Sequence, residues 1–188
     1  MAFNIAQFQT TLARDGYRPN LFDITMQFPS FVSPGTAGQD ITFLCKTAQL
    51  PGSTLGLAPL FYFGREVKLA GVRTYPDWTI TVVNDESFNI RQAFEQWYKA
   101  LNDPTLNLRQ SAAIPMLGGY AVDAFVNAYT KDGNLATQYT LQNIWPLDLS
   151  PIDTDMGAND QIAEWSLTLA VNAILVNGVD YTASALAT

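Results

Sequence analysis

In stretch after stretch of this chain an apolar side chain returns at every second position. The clearest case is Phe22, Ile24, Met26 and Phe28, set against Asp23, Thr25 and Gln27. Such alternation marks a strand with one buried and one solvated face. It recurs in Ile41, Phe43 and Cys45, and again in Trp78, Ile80 and Val82. It continues through Tyr120–Tyr129, Leu135–Trp145 and Ala163–Ala173. Turn formers separate these runs: the Pro-, Gly- and Ser-rich loop Pro29–Gln39, the excursion Pro51–Pro59 and the loop Pro146–Gln161. Lys131-Asp132-Gly133-Asn134 predicts a hairpin turn between two of the strands. Strands are therefore expected over Phe22–Phe28, Ile41–Thr47, Leu60–Leu69 and Trp78–Val83, then in the hairpin, then over Ala163–Ala173. Leu60–Leu69 differs from the others. Phe61, Phe63, Arg65 and Val67 alternate with Tyr62, Gly64, Glu66 and Lys68, and neither face is plainly apolar. It reads as an edge or an arm that meets a partner.

One strong helix is expected, Ser87–Leu101, capped by Ser87 and stopped by Asn102-Asp103-Pro104. Ile90, Phe94, Trp97, Tyr98 and Leu101 recur at the helical period, so this stripe should pack on the sheet. Trp78 is expected to bury against Phe94 and Trp97. A short amphipathic helix is expected at about 4–15, and a loose tail at about 181–188. Strands without βαβ alternation point to a mostly-β (α+β) fold: an antiparallel barrel or sandwich with one flanking helix, in a single domain over residues 1–188.

Composition narrows the function. The sequence has no histidine and one cysteine, Cys45, so Ser-His-Asp and Cys-His chemistry, Cys/His zinc sites and an internal disulfide are all excluded. Cys45, within an apolar strand pattern, reads as a small buried hydrophobe. No cofactor is expected, since no phosphate-binding glycine loop occurs. Paired carboxylates remain the one conventional acid–base option, with Asp77, Asp85 and Glu86 as candidates. All three sit at strand ends or turns, where a solvated or turn-forming role is usual. Asp153, Asp155, Asn159 and Asp160 lack the spacing of a calcium loop. The chain is expected not to be an enzyme.

Hydrophobic residues make up 48% and charged residues 14%, against roughly 25% charged in typical soluble domains. A surface so thinly charged is expected to be covered in part by further copies of the chain. The net charge of −7 disfavours nucleic-acid binding, which needs Lys and Arg to displace counterions. The start lacks a basic leader and no apolar run reaches the roughly 18 residues of a membrane span, so assembly in the cytoplasm without a membrane anchor is expected.

Several segments in series resemble the tail tube proteins of contractile-tailed bacteriophages. They are Arg18-Pro19-Asn20-Leu21-Phe22, then Phe43-x-Cys45-Lys46 with Leu50-Pro51. Next come Arg65, Ala70-Gly71-x-Arg73-Thr74, Asp77-Trp78-Thr79-x-Thr81-Val82 and Asn84-Asp85. Arg91, Phe94 and Trp97, then Trp145-Pro146, then Leu167-Thr168-Leu169-Ala170 complete the series. The loop Pro29–Gln39 and the tail beyond Val171 are longer than the family pattern. The resemblance implies packed β-sheets with a flanking helix, as in the type VI secretion tube protein. It implies hexameric rings stacked into a tube in the virion, with a tail sheath outside and baseplate and terminator proteins at the ends. Tape-measure protein and DNA would pass through the lumen. A secretion or injection-system tube protein, or a tube-like baseplate protein, is the near alternative. A β-sandwich carbohydrate-binding or glycosidase module is the distant one.

Within that frame Leu60–Leu69 and its approach Pro51–Pro59 read as an arm to a neighbouring subunit or ring. Lys46, Arg65, Glu66, Lys68, Arg73 and Asp77 give this region four bases and two acids, while after Lys131 there are seven acids and no base. Rings with opposite charge on their two rims should stack head to tail. The expected inter-subunit contacts are therefore those six charged residues together with Leu55, Leu57 and Phe61.

Overall fold

A computed structural model describes residues 5–12, 16–110 and 119–177. Three helices and nine strands occur among them: α1 Ile5–Thr11, β1 Phe22–Met26, α2 Ala37–Leu44, β2 Cys45–Ala48, β3 Thr54–Tyr62, β4 Arg65–Thr74, β5 Trp78–Val83, α3 Asn89–Leu101, β6 Val122–Tyr129, β7 Leu135–Leu149, β8 Glu164–Ala170 and β9 Ala173–Val176. All pairings are antiparallel. The main sheet runs β1-β6-β7-β8-β5-β2, with β9 also on β7. Its ends, β1 and β2, do not pair with each other, so no closed barrel forms and the sandwich half of the expectation is the one that holds.

The long strand β7 makes this possible. Its first part pairs with β6 and β9, and its last part with β8. Between them two residues of β7 oppose one of β6, and Asn143 adopts a positive φ of 53°. The Asn143 N–H donates to Asp123 Oδ1 at 2.9 Å, which satisfies the backbone group the bulge displaces. The kinked strand thus leaves one layer and enters the other. Pro146 and the shift at Leu147 lie beyond the last β6 partner, where a missing N–H is tolerated. The loop expected over Pro146–Gln161 therefore starts later, after Leu149.

The inward residues of β1, β5, β6, β7 and β8 are those of the alternation pattern: Ile24, Ile80, Val126, Leu141 and Leu167 are fully enclosed. Against them lies α3, with Phe94 and Trp97 at 0% exposure. Phe94 and Trp97 stack at 5.9 Å, Phe28 closes on both at 5.2 and 6.0 Å, and Trp165 meets Phe94 edge-on at 6.2 Å. The Trp97 Nε1–H donates to the Tyr120 carbonyl at 3.0 Å. Trp78 is buried in the same core, but the sheet ring that faces Phe94 is Trp165. Trp78 instead donates its Nε1–H to the Gln49 carbonyl at 2.8 Å. On the opposite face of the β1–β6–β7–β9 layer, Asp23, Asn127, Gln138 and Asn177 form a row of side-chain hydrogen bonds across the strands.

Several local expectations are corrected. Ile41–Leu44 is the last turn of α2 rather than strand, because Ile41 buries at helical spacing from Ala37; only Cys45–Ala48 is extended. Part of the loop Pro29–Gln39 is accordingly helix. Ser87 does not cap α3. Phe88 occupies that position with a left-handed φ of 56°, and Asp85 Oδ2 accepts from the Asn89 N–H at 3.3 Å. The strand Ala163–Ala173 is β8 and the start of β9, separated by a break at Val171-Asn172. The short first helix is present over Ile5–Thr11; the tail at 181–188 lies outside the described residues. Trp97→Ala should cost about 3–5 kcal/mol of unfolding free energy, the range for emptying a buried aromatic site. Urea unfolding followed by circular dichroism measures it.

Candidate functional site

The excursion Pro51–Pro59 and the strand Leu60–Leu69 are one β-hairpin. β3 and β4 pair with each other and with no strand of the main sheet. Tyr62 pairs with Arg65 across a two-residue turn, in which Phe63 and Gly64 have φ of 46° and 75°. Positive φ at both central positions is the turn whose twist suits a hairpin. The turn also explains the two-faced reading. Directly paired residues share a face, so Ala58, Leu60 and Tyr62 stand with Arg65, Val67 and Leu69. A single strand carried through Gly64 mixes the two faces; the hairpin restores an apolar one, broken only by Arg65. The opposite face carries Leu57 and Phe61 with Glu66 and Lys68.

Almost every residue of this hairpin is exposed, including Phe63 at 92% and Phe61 at 70%. Its base is held by a bulge where Gly71 and Val72 oppose Gly56. A Cβ on Gly71 would stand 2.9 Å from the Gly56 carbonyl carbon and oxygen, so the backbones approach as only glycine permits.

Seven of the nine residues expected to make contacts, namely Leu55, Leu57, Phe61, Arg65, Glu66, Lys68 and Arg73, lie on this hairpin. The other two do not. Asp77 is exposed in the connection from β4 to β5. Lys46 lies on β2, where its ammonium meets both Glu164 carboxylate oxygens at 2.6 and 2.8 Å. One base of the segment is thus paired, within the subunit, to an acid of the C-terminal third. Sequence reasoning missed the exposed tip aromatics Tyr62 and Phe63 as contact candidates; a Phe-Gly pair is a weaker hairpin signal than Asn-Gly.

The strand β5 separates the remaining acids. Asp77 precedes it and Asp85 and Glu86 follow it, so about 20 Å of strand divides them. Glycosidic carboxylate pairs stand roughly 5–9.5 Å apart. Among the described residues no three Asp, Glu or Cys side chains are placed to hold a metal, and no helix is long and apolar enough to cross a membrane. Burial pushes the Cys45 thiol up to about 12, although its Sγ–H donates to the Thr47 carbonyl at 3.4 Å. A protonated, half-buried thiol is a poor nucleophile.

The fold is an open antiparallel β structure that carries much of its exposed apolar surface on one hairpin outside the main sheet. Residues 17–173 match the family model described as phage tail tube protein. The tail tube protein gp19 of Enterobacteria phage T4 is 29% identical over 163 residues, covering 84% of this chain and 90% of that protein. The tail tube protein of Serratia phage KSP90 is 26% identical, covering 88% and 92%. Among solved structures, the tube-terminating cap of the anti-feeding prophage superposes with a TM-score of 0.61 at 15% identity, covering 86% of this chain and 90% of that one. A sheath–tube complex of an extracellular contractile injection system gives 0.56 at 14% identity, covering 89% and 95%. The chain belongs to the phage tail tube protein family. It is a structural component of the virion tail, not an enzyme.

Two outcomes follow from this geometry. At pH 8 iodoacetamide should leave Cys45 of the native protein unmodified and label it fully in denaturant, as mass spectrometry would read. Gly71→Ala should leave the unfolding free energy of the domain within about 0.5 kcal/mol, since the hairpin shares no ladder with the core. Hydrogen exchange over residues 54–74 should accelerate in the same variant.

Proposed function

We propose that the chain forms hexameric rings that stack into the inner tube of a contractile phage tail, with the β3–β4 hairpin as the arm that joins subunits. The observation that carries this reading is the hairpin itself: two long strands with an apolar face and, among the described residues, no partner strand beyond each other. An exposed apolar strand pair of this size is an aggregation hazard unless a specific partner covers it. The free edges of β1 and β2 support the same reading, because a ring that joins sheets between neighbours leaves no open edge. The six-fold count draws on the family resemblance and on the six-fold symmetrised baseplate of the anti-feeding prophage, which the fold matches at a TM-score of 0.58.

The tube so formed lies inside a sheath and ends on baseplate and terminator proteins; related folds occur in sheath–tube and tube-terminator complexes. Its lumen conducts tape-measure protein and DNA without holding them. The net charge of −7 suits that role, since an acidic wall repels phosphate and lets the duplex slide. The phage origin of the relatives at 26–29% identity favours a phage tail over an injection particle.

The test is replacement of residues 57–70 by a short Gly-Ser turn, with mass photometry and negative-stain microscopy at micromolar protein. The wild-type chain should form rings or tubes, and the shortened chain should stay monomeric with an unchanged far-UV spectrum. A wild-type chain that stays monomeric at every concentration, with or without baseplate nuclei, would sink the reading.

A further inference from the structure

The arm needs a seat, and the two ends of β5 show where one lies. Trp78 pairs with Leu169 and Val83 with Glu164. The hairpin joins the Trp78 end of this layer, whereas the segment 150–162 joins the Glu164 end. The two therefore leave the sheet at opposite ends, about 17 Å of strand apart.

The segment 150–162 is exposed along most of its length and carries Asp153, Asp155 and Asp160. Met156 is fully exposed and Ile162 is 73% exposed. Its base is rigid. The Arg91 guanidinium donates to the Ser150 carbonyl at 3.1 Å, the Ser166 N–H donates to Ser150 Oγ at 2.8 Å, and Ile152 packs on the core. Asp85 and Glu86 add negative charge at this end, while Lys46 and Arg91 there are held by Glu164 and Glu95. The arm offers the complement: exposed Tyr62 and Phe63 at its tip, Arg65 on the same face as Tyr62, and Lys68 on the opposite face.

We infer that the apolar face of the hairpin seats on segment 150–162 of a second copy, Tyr62 and Phe63 against Met156 and Ile162, with Arg65 of that face toward Asp153 and Asp160 and Lys68, on the outer face, adding to the positive field. This rests on the assembly reading above and names its acceptor. Aromatic, Met and Arg side chains are the types that anchor protein interfaces. Because donor and acceptor stand at opposite ends, each bound copy presents a fresh acceptor. The contact is heterologous and propagates instead of closing.

Site-directed cross-linking tests it in full-length protein carrying Cys45→Ser, so that only introduced thiols react. With Tyr62→Cys and Met156→Cys, a short bismaleimide should convert assembled protein into a ladder of covalent multimers on denaturing gels. Tyr62→Cys with Asp132→Cys should give none. A second arm uses charge. Arg65→Glu with Lys68→Glu should abolish tubes at low salt, as should Asp153→Lys with Asp160→Lys, and an equimolar mixture of the two variants should recover them. Tubes that form normally but give no Tyr62–Met156 ladder, or charge variants that the mixture does not rescue, would overturn this acceptor and leave the assembly reading standing. A wild-type chain that never assembles would overturn both.

Discussion

The pairing of β7 with the β8–β9 segment carries the rest of the structure. Tyr139–Gln142 pairs with β9 and Trp145-Pro146 with β8, in one continuous register across the break at Val171-Asn172. The Asn172 N–H bridges that break by donating to the Gln142 carbonyl at 3.3 Å. Both long segments therefore change layer together, turned by the bulge at Asn143. Trp165, Leu167 and Leu169 on one side of this ladder and Leu141 and Ile144 on the other face a single interior. The stacked pair Phe94 and Trp97 on α3 fills the space that remains.

Because the core is closed in this way, the hairpin shares no ladder with it. Among the described residues its strands form ladders only with each other, so apolar residues on it would raise the affinity of the proposed contact without a matching gain in subunit stability. This division has a cost in the isolated subunit, where Phe61, Phe63 and Val72 stand in water. Few charges elsewhere offset that surface, which accords with the proposed assembly, in which partner copies would cover it.

Most of the core was legible because a period of two maps directly onto burial: Phe22–Met26, Trp78–Val83 and Glu164–Ala170 each bury the residues that their alternation indicates. Three features were hidden for separate physical reasons. The turn at Phe63-Gly64 reverses the parity of every later residue in the hairpin, so an amphipathic ribbon looks like a strand without a face. Ile41 and Phe43 alternate as a strand would, yet α2 buries Ile41 and leaves Phe43 at 85% exposure, because tertiary packing on β1 and α3 overrides a short local pattern. Trp165 reached Phe94 because strand order, which no local period encodes, placed β8 rather than β5 at that ring. The ambiguity of its pattern singled out Leu60–Leu69, which is part of an exposed hairpin whose boundaries, Thr54–Thr74, that pattern did not mark.

Charge placement then decides what kind of assembly such a subunit favours. The hairpin residues Arg65, Glu66, Lys68 and Arg73 leave a surplus of base on the arm, and the C-terminal third has no Lys or Arg after Lys131. Had both signs been interspersed at one end, two subunits could meet through the same patch, and a closed pair would satisfy them. In the proposed assembly the unequal charge of the two ends of β5 would disfavour that, since arm against arm and acidic segment against acidic segment would repel. Each rim pair contributes little, about 0–1 kcal/mol, and salt screens it. The proposed ring would repeat the pair in every subunit, with the copies held in fixed relation, so small terms would act together on one stacking step. On that proposal affinity would come chiefly from the apolar face of the hairpin, and the charges would set direction. A tube with a single polarity is the form that a sheath, a baseplate and a one-way conduit all require.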